Sequence, residues 1–248
     1  MTAKQIRKEI IKLSFSTNSP HLGSSLSCVE ILVSVFEFIK GKKKAFEVIF
    51  SKGHAAMAYY ATLYSYKKIK KENIENYLKP NTKLWSHISR ANNNFLKFSF
   101  GALGYGLGIA AGMSLGYQIE KKPHIIFCIL SDGELNEGSI WESLMFISHH
   151  NLKNIVILVD RNKLQSFGST SDVINLNSYR KKFKSFNFNF FEIDGHNVNS
   201  LIKIFKLNSL RPKVVLCNTV KGKGVKRIEG LLSSHYYPAK KEDLELIN

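Results

Sequence analysis

Two polar residues follow apolar runs in positions that could hold a cation. The run Ile125 to Leu130 (IIFCIL) leads into Ser131-Asp132-Gly133, and Ile155 to Val159 (IVILV) leads into Asp160-Arg161-Asn162. Asp132 and Asn162 are about thirty residues apart, roughly one strand-helix-strand crossover, so they can sit at the tips of neighbouring parallel strands. Carboxylate and amide oxygens, with a nearby backbone carbonyl, are hard ligands suited to Mg²⁺ or Ca²⁺. Gly133 lets the backbone approach a diphosphate whose charge the metal would offset. Taken alone, the same residues also read as a plain turn followed by an end-of-strand amide.

The elements that must position these groups are written in the hydrophobic pattern. Apolar runs of strand length at 125–130, 155–159, 188–193 and 214–218 alternate with helical stretches at about 102–118, 136–150, 176–184 and 198–208. Such alternation predicts an α/β fold, a parallel sheet with helices on both faces. The first half adds helical patterns at 2–17, 28–40, 54–66 and 70–78, with a short strand in EVIFSKGH ending in a turn. Ligands of such sheets bind beyond the carboxyl ends of the strands, near a reversal of strand order.

The chain has 248 residues, 44% of them hydrophobic, which suits a single domain over 1–248. It has no apolar run of membrane-spanning length, and MTAKQIRKEI lacks a signal peptide's apolar stretch, so a cytoplasmic protein is expected. Cys28, Cys128 and Cys217 fit neither a disulfide framework nor a zinc pattern and read as small buried residues. The net charge of +17 comes from lysines scattered along the whole length, which suits a solvated surface. No nucleic-acid-binding motif accompanies it.

Wider segments carry a resemblance. HLGSSLSCVEIL (21–32), SKGHAAMAYYATL (51–63), GALGYGLGIAAGMSLG (101–116), SDGELNEGSIWESL (131–144), NLKNIVILVDRNKLQ (151–165), DGHN (194–197) and TVKGKGV (219–225) resemble transketolase motifs in their family order. The match covers about 12–235 and implies the fold that binds thiamine diphosphate. A full transketolase adds a pyrimidine-binding domain and a C-terminal domain. The resemblance therefore implies the N-terminal subunit of a split enzyme, working with a C-terminal subunit that carries the pyrimidine-binding domain and its essential glutamate.

The resemblance also implies roles. Asp132, Asn162 and the carbonyl of Leu164 would bind the metal, while Gly133 and His54 would support the diphosphate. His21, His87 and His235 would surround the thiazolium and the sugar, donating hydrogen bonds or relaying protons. Gly101 and Leu103 would open a helix at the cofactor site, with the Gly101 carbonyl toward the aminopyrimidine. Glu137 and Glu142 would join a glutamate network between paired active sites; the bland alternative for Glu137 is an exposed carboxylate favoured by the helix dipole. Trp141 reads as packing. Tyr105, Ser131 and Met57 stand where the family usually has glutamine, glycine and proline.

The implied reaction is transfer of a two-carbon ketol group from a ketose phosphate to an aldose phosphate, as in the pentose phosphate pathway, by two copies of the chain with two partners. Deoxyxylulose-phosphate synthase and the α chain of 2-oxoacid dehydrogenases share the cofactor site and are the enzymatic alternatives. A non-catalytic scaffold subunit is the other.

Overall fold

Strands buried on both faces must be apolar throughout, and the central strands here are. In the computed structural model, which describes residues 2–42, 45–91, 95–176 and 178–245, β1 (Phe46–Phe50), β2 (Ile125–Ser131), β3 (Ile155–Arg161), β4 (Asn189–Asp194) and β5 (Lys213–Asn218) form one sheet. The order is β1-β2-β3-β5-β4, and every pairing is parallel. Register sets Ser131 of β2 beside Asp160 of β3, and Asp160 beside Cys217 of β5. The tips of β2 and β3 are therefore neighbours, as expected. The strand order does not reverse there, because β1, β2 and β3 follow one another across the sheet.

The helices are α1 (Ala3–Thr17), α2 (Leu22–Ser27), α3 (Val29–Ile39), α4 (Ala56–Ser65), α5 (Lys71–Glu75), α6 (Tyr105–Ile119), α7 (Gly138–His149), α8 (Thr170–Val173), α9 (Tyr179–Ser185), α10 (Val198–Lys206) and α11 (Lys241–Glu245). A capping box of Thr2 and Gln5 starts α1, and Asn18 ends it in the left-handed conformation. Helix α6 packs on β1, β2 and β3 and against α7. On the other face Phe127 of β2 meets Phe38 of α3 and Phe205 of α10, with ring centroids 5.8 and 5.0 Å away. All three cysteines are buried. Among the described residues no helix is long and apolar enough to cross a membrane.

Several expected boundaries move for local reasons. The helix predicted over 70–78 is confined to Lys71–Glu75, because Leu78 turns left-handed (φ 54°) two residues before Pro80. The segment before residue 28 is helical as α2, and Cys28 separates it from α3. Gly101 and Leu103 precede α6 instead of opening it, since Gly104 is left-handed (φ 88°) at the cap. The helix expected over 176–184 runs as α9 from Tyr179, and residue 177 lies outside the described residues.

Candidate functional site

The carboxyl ends of β1, β2, β3 and β5 converge on one buried polar cluster. Asp160, fully buried at the end of β3, pairs with the Lys52 ammonium that follows β1. It also accepts hydrogen bonds from Ser27 Oγ (2.6 Å), from the Thr219 hydroxyl after β5 and from Asn162 Nδ2 (3.5 Å). Burial opposes charge on both partners of the pair, yet Asp160 raises Lys52 above the ordinary lysine value and Lys52 holds Asp160 below the ordinary carboxylate value. Further hydrogen bonds to both partners help offset the desolvation of an ion pair this deep. Lys52 Nζ, for instance, also donates to the Ser24 carbonyl at 3.1 Å.

Above this floor stand the expected metal ligands. Asp132 is buried at the end of β2, where Oδ1 accepts from the Gly133 amide (2.9 Å) and Oδ2 from the Lys163 amide (2.7 Å). Burial, with Asp160 nearby, pushes its carboxyl up to about 7. Asn162 Oδ1 accepts from the Leu164 amide at 3.1 Å, and its bond to Asp160 directs the amide nitrogen inward. A cation here would relieve the crowded carboxylates. Among the described residues no group of three or more His, Cys, Asp or Glu side chains is placed to hold a metal, so a ligand set would draw on the Asn162 amide and the Leu164 carbonyl.

Four histidines gather beside these strand ends. The His21 ring lies 5.8, 5.7 and 4.7 Å from those of His54, His87 and His235, centroid to centroid. His21 is left-handed (φ 66°), a strained conformation held by its amide bond to the His235 carbonyl at 2.9 Å. Burial lowers all four, with the like charge of Lys221 adding to His21 and His235, which fall to about 4. They are neutral imidazoles near neutral pH, each with one donor and one acceptor nitrogen.

A cavity of about 510 Å³ brings most of the expected residues together: His54, His87, Gly101, Leu103, Asp132, Gly133, Glu137, Asn162, Leu164 and His235 line it. His21, partly exposed, packs against the imidazoles of His54, His87 and His235 beside that lining. Glu142 is exposed on α7 and does not reach the cavity, and Glu137 caps α7 from an exposed position. A Cβ at Gly133 would lie 2.9 Å from Gln165 Cγ, so a side chain there would displace Gln165 at the cavity wall. Trp141 is a packing residue, stacked on Phe183 with its Nε1 donating to the Leu135 carbonyl.

Four residues of the site are given no role by the sequence reading. Lys52 and Asp160 form the floor. Glu134, fully buried, accepts from the Ser51 hydroxyl, the Gly104 amide (2.9 Å) and the Ser131 amide (3.2 Å), tying the start of α6 to the tips of β1 and β2. Lys221 faces the cavity, with Nζ 3.3 Å from the Leu164 and Gln165 carbonyls and 3.4 Å from His235 Nδ1. Burial, with Lys52 nearby, lowers its amine to about 8. All four lie inside the family-like motifs; the available signal was a charged residue at a strand end or within about three residues after it.

The same cavity holds donors without acceptors. Asn136 Nδ2 and Gln165 Nε2 are buried, line the cavity and have no hydrogen-bond partner. Uncommitted amide donors beside a buried ammonium suit a phosphate-bearing anion, and Asp132 with Asn162 suits the cation that would accompany it. The site thus fits a metal-bound diphosphate.

Residues 2–248 match the family described as transketolase, thiamine diphosphate binding domain. The chain is 33% identical to an apulose-4-phosphate transketolase subunit of Actinobacillus succinogenes, covering 98% of this chain and 92% of that one. A 6-deoxy-6-sulfo-D-fructose transketolase subunit of a Clostridium species is 32% identical, over 94% and 88% of the two chains. Human transketolase-like protein 2 is also 32% identical, but there the match spans 41% of the relative. Transketolase from Campylobacter jejuni shares the fold, with a TM-score of 0.88 at 23% identity over 99% of this chain and 41% of that one. A sheet whose neighbouring tips present Asp132 and Asn162, in a chain matched end to end by transketolase subunits, belongs to the transketolase family as its thiamine-diphosphate-binding part, and the activity it serves is thiamine-diphosphate-dependent ketol transfer.

Proposed function

We propose that residues 1–248 form a single domain that holds the diphosphate end of thiamine diphosphate through Mg²⁺ or Ca²⁺, and that it turns over only with a separate subunit supplying the pyrimidine-binding domain. The observation that carries this reading is that Asp132 and Asn162, each just past one of two adjacent strands, line one cavity with the unpartnered donors of Asn136 and Gln165. Asp132, Asn162 and the Leu164 carbonyl would hold the metal, and Lys221, His54 and the Gly133 backbone would hold the diphosphate. When bound, thiamine diphosphate supplies the carbon nucleophile and electron sink for the two-carbon unit.

The protein's own task is to orient and to move protons. Neutral His21, His87 and His235 donate to, and accept from, the hydroxyls of a ketose phosphate and then an aldose phosphate. Glu137, at the cavity wall, and Glu142, exposed on α7, would join a glutamate network with a second copy. The exposed Phe167, Ile174 and Tyr236 border the site and suit a partner's face, and two copies with two partners make a heterotetramer. The setting is cytoplasmic sugar-phosphate metabolism of the pentose phosphate type.

Ketol transfer measured with the purified chain, its candidate partner and both together tests the proposal. Turnover is expected from the mixture alone, with light scattering giving a heterotetramer. Full turnover by this chain without a partner would overturn it.

A further inference from the structure

Lys221 sits on a loop with glycines at positions 222 and 224, both at positive φ (78° and 96°). Such a loop is mobile unless something fixes it, and the fixing group lies in a motif that the cofactor site does not use. The Val220 amide donates to His196 Nε2 at 2.9 Å, and His196 Nδ1 lies 2.9 Å from Glu30 Oε2. A backbone amide can only donate, so Nε2 is the bare nitrogen and Nδ1 carries the hydrogen given to Glu30. The His196–Glu30 contact is then a hydrogen bond of a neutral imidazole, not an ion pair.

The charge of Glu30 is met instead by Arg7, whose guanidinium grips both carboxylate oxygens at 2.5 and 2.7 Å. Burial opposes its ionisation, but hydrogen bonds from His196 and Arg7 hold Glu30 down at about 2. Arg7 Nε also donates to the Lys223 carbonyl at 2.9 Å, so one chain of contacts grips the loop on both sides of Lys221. Neighbouring backbone bonds complete the hold. Gly222 donates to Gly23 at 3.0 Å, and the Lys221 carbonyl accepts from Gly230 at 2.8 Å.

We propose that His196, locked as the Nδ1–H tautomer by the Arg7–Glu30 pair, is the positioning residue that sets the Lys221 ammonium against the cofactor's diphosphate. The inference rests on the reading of the cavity as a diphosphate site. His196 touches neither cofactor nor substrate; it acts through the backbone of Val220.

Two side chains separate its halves. Glutamine can place an acceptor where Nε2 stands, whereas asparagine can restore only a donor toward Glu30. In the complex with its partner subunit, His196→Asn is expected to weaken thiamine diphosphate binding about tenfold by calorimetry, the worth of one hydrogen bond of about 1.4 kcal/mol. His196→Gln should stay within about threefold of the unsubstituted chain, with the two variants melting alike. A purely structural role would move both variants' melting together and would not separate their affinities. Equal affinities for the two variants, or unchanged binding by His196→Asn while the unsubstituted complex binds tightly, overturn this inference alone. No binding by the unsubstituted complex overturns the diphosphate reading with it. Nitrogen NMR of the histidine-labelled, unsubstituted complex needs no variant to fold: it should report a protonated Nδ1 and a bare Nε2 at His196, and the opposite tautomer or an imidazolium would overturn the proposal.

Discussion

Three lysines are buried among the described residues, and the two ends of the sheet use them differently. At the carboxyl ends, Lys52 and Lys221 are 0% and 1% exposed and converge with Asp132, Asp160 and four histidines. At the amino ends, Lys213 is 6% exposed and donates to the carbonyls of Ile204, Phe205 and Leu207 at the end of α10. Burial lowers its amine too, and among the described residues no carboxylate pairs with it. Lys213 is thus a helix cap, satisfying carbonyls that a helix end leaves open. A buried charge does not by itself mark a site; convergence of unlike groups from several strand ends does.

The comparison breaks most easily at Lys52. Lys52→Met leaves Asp160 buried without a counter-charge, and a loss of about 3–5 kcal/mol in urea unfolding is expected. A loss no larger than that of Lys213→Met would mean that the floor of the site carries no special electrostatic burden. For Lys213→Met, about 1–3 kcal/mol is expected, the cost of carbonyls left without a donor.

Asp132→Ala should act on binding more than on folding. Thiamine diphosphate affinity in the partnered complex with Mg²⁺ is expected to fall by about 100-fold or more, since a charged ligand is lost from a dianionic neighbourhood. Calorimetry giving unchanged affinity would remove the proposed metal set. Lys221→Met should weaken the same binding by about 10- to 100-fold, as loss of a charge-assisted hydrogen bond does. Lys213→Met should leave it unchanged, and any parallel drop would erase the distinction between the two ends.

The smallest effect is a pH dependence. His21, His54 and His235 have folded-state values depressed below the ordinary 6.5 by burial, two of them to about 4. Their contribution to stability is complete above about pH 6.5 and is lost as pH falls toward 4, where the unfolded chain takes up protons first. Asp132, raised to about 7, and Glu134, also raised by burial, oppose this, two carboxylates against these three imidazoles and the similarly lowered His87. Thermal melting of the cofactor-free chain should therefore decline from pH 6.5 to 4. A flat profile would argue that the imidazoles are better hydrated than their packing implies.

Much of this arrangement was legible in the linear chain. The runs IIFCIL and IVILV read as buried parallel strands, and a spacing of about thirty residues allowed Asp132 and Asn162 to follow adjacent strands, as the register of β2 and β3 has it. Motif order reached His21 and His54, and the family resemblance extended to His87 and His235, although they are scattered from the cap of α2 to the segment before α11. Boundaries were less legible where one residue decided the backbone. Gly104 delays α6 because its left-handed cap and its bond to Glu134 outweigh the helical pattern around it.

The sequence by itself determined the strand and helix alternation, the parallel sheet and the neighbouring places of Asp132 and Asn162 at its carboxyl ends, because hydrophobic period and crossover length act locally. Tertiary structure alone decided which charges are buried and with whom. Of the glutamates in SDGELNEGSIWESL, Glu134 is the one taken inside, and Glu137 and Glu142 stay in solvent. Nothing in their spacing separates them. The difference arises because Ser51, Gly104 and Ser131, brought together by β1, β2 and the start of α6, offer three donors at one point. The meeting of Lys52 with Asp160, 108 residues later, has the same origin: desolvation makes each charge intolerable alone, and only the folded sheet puts them within reach.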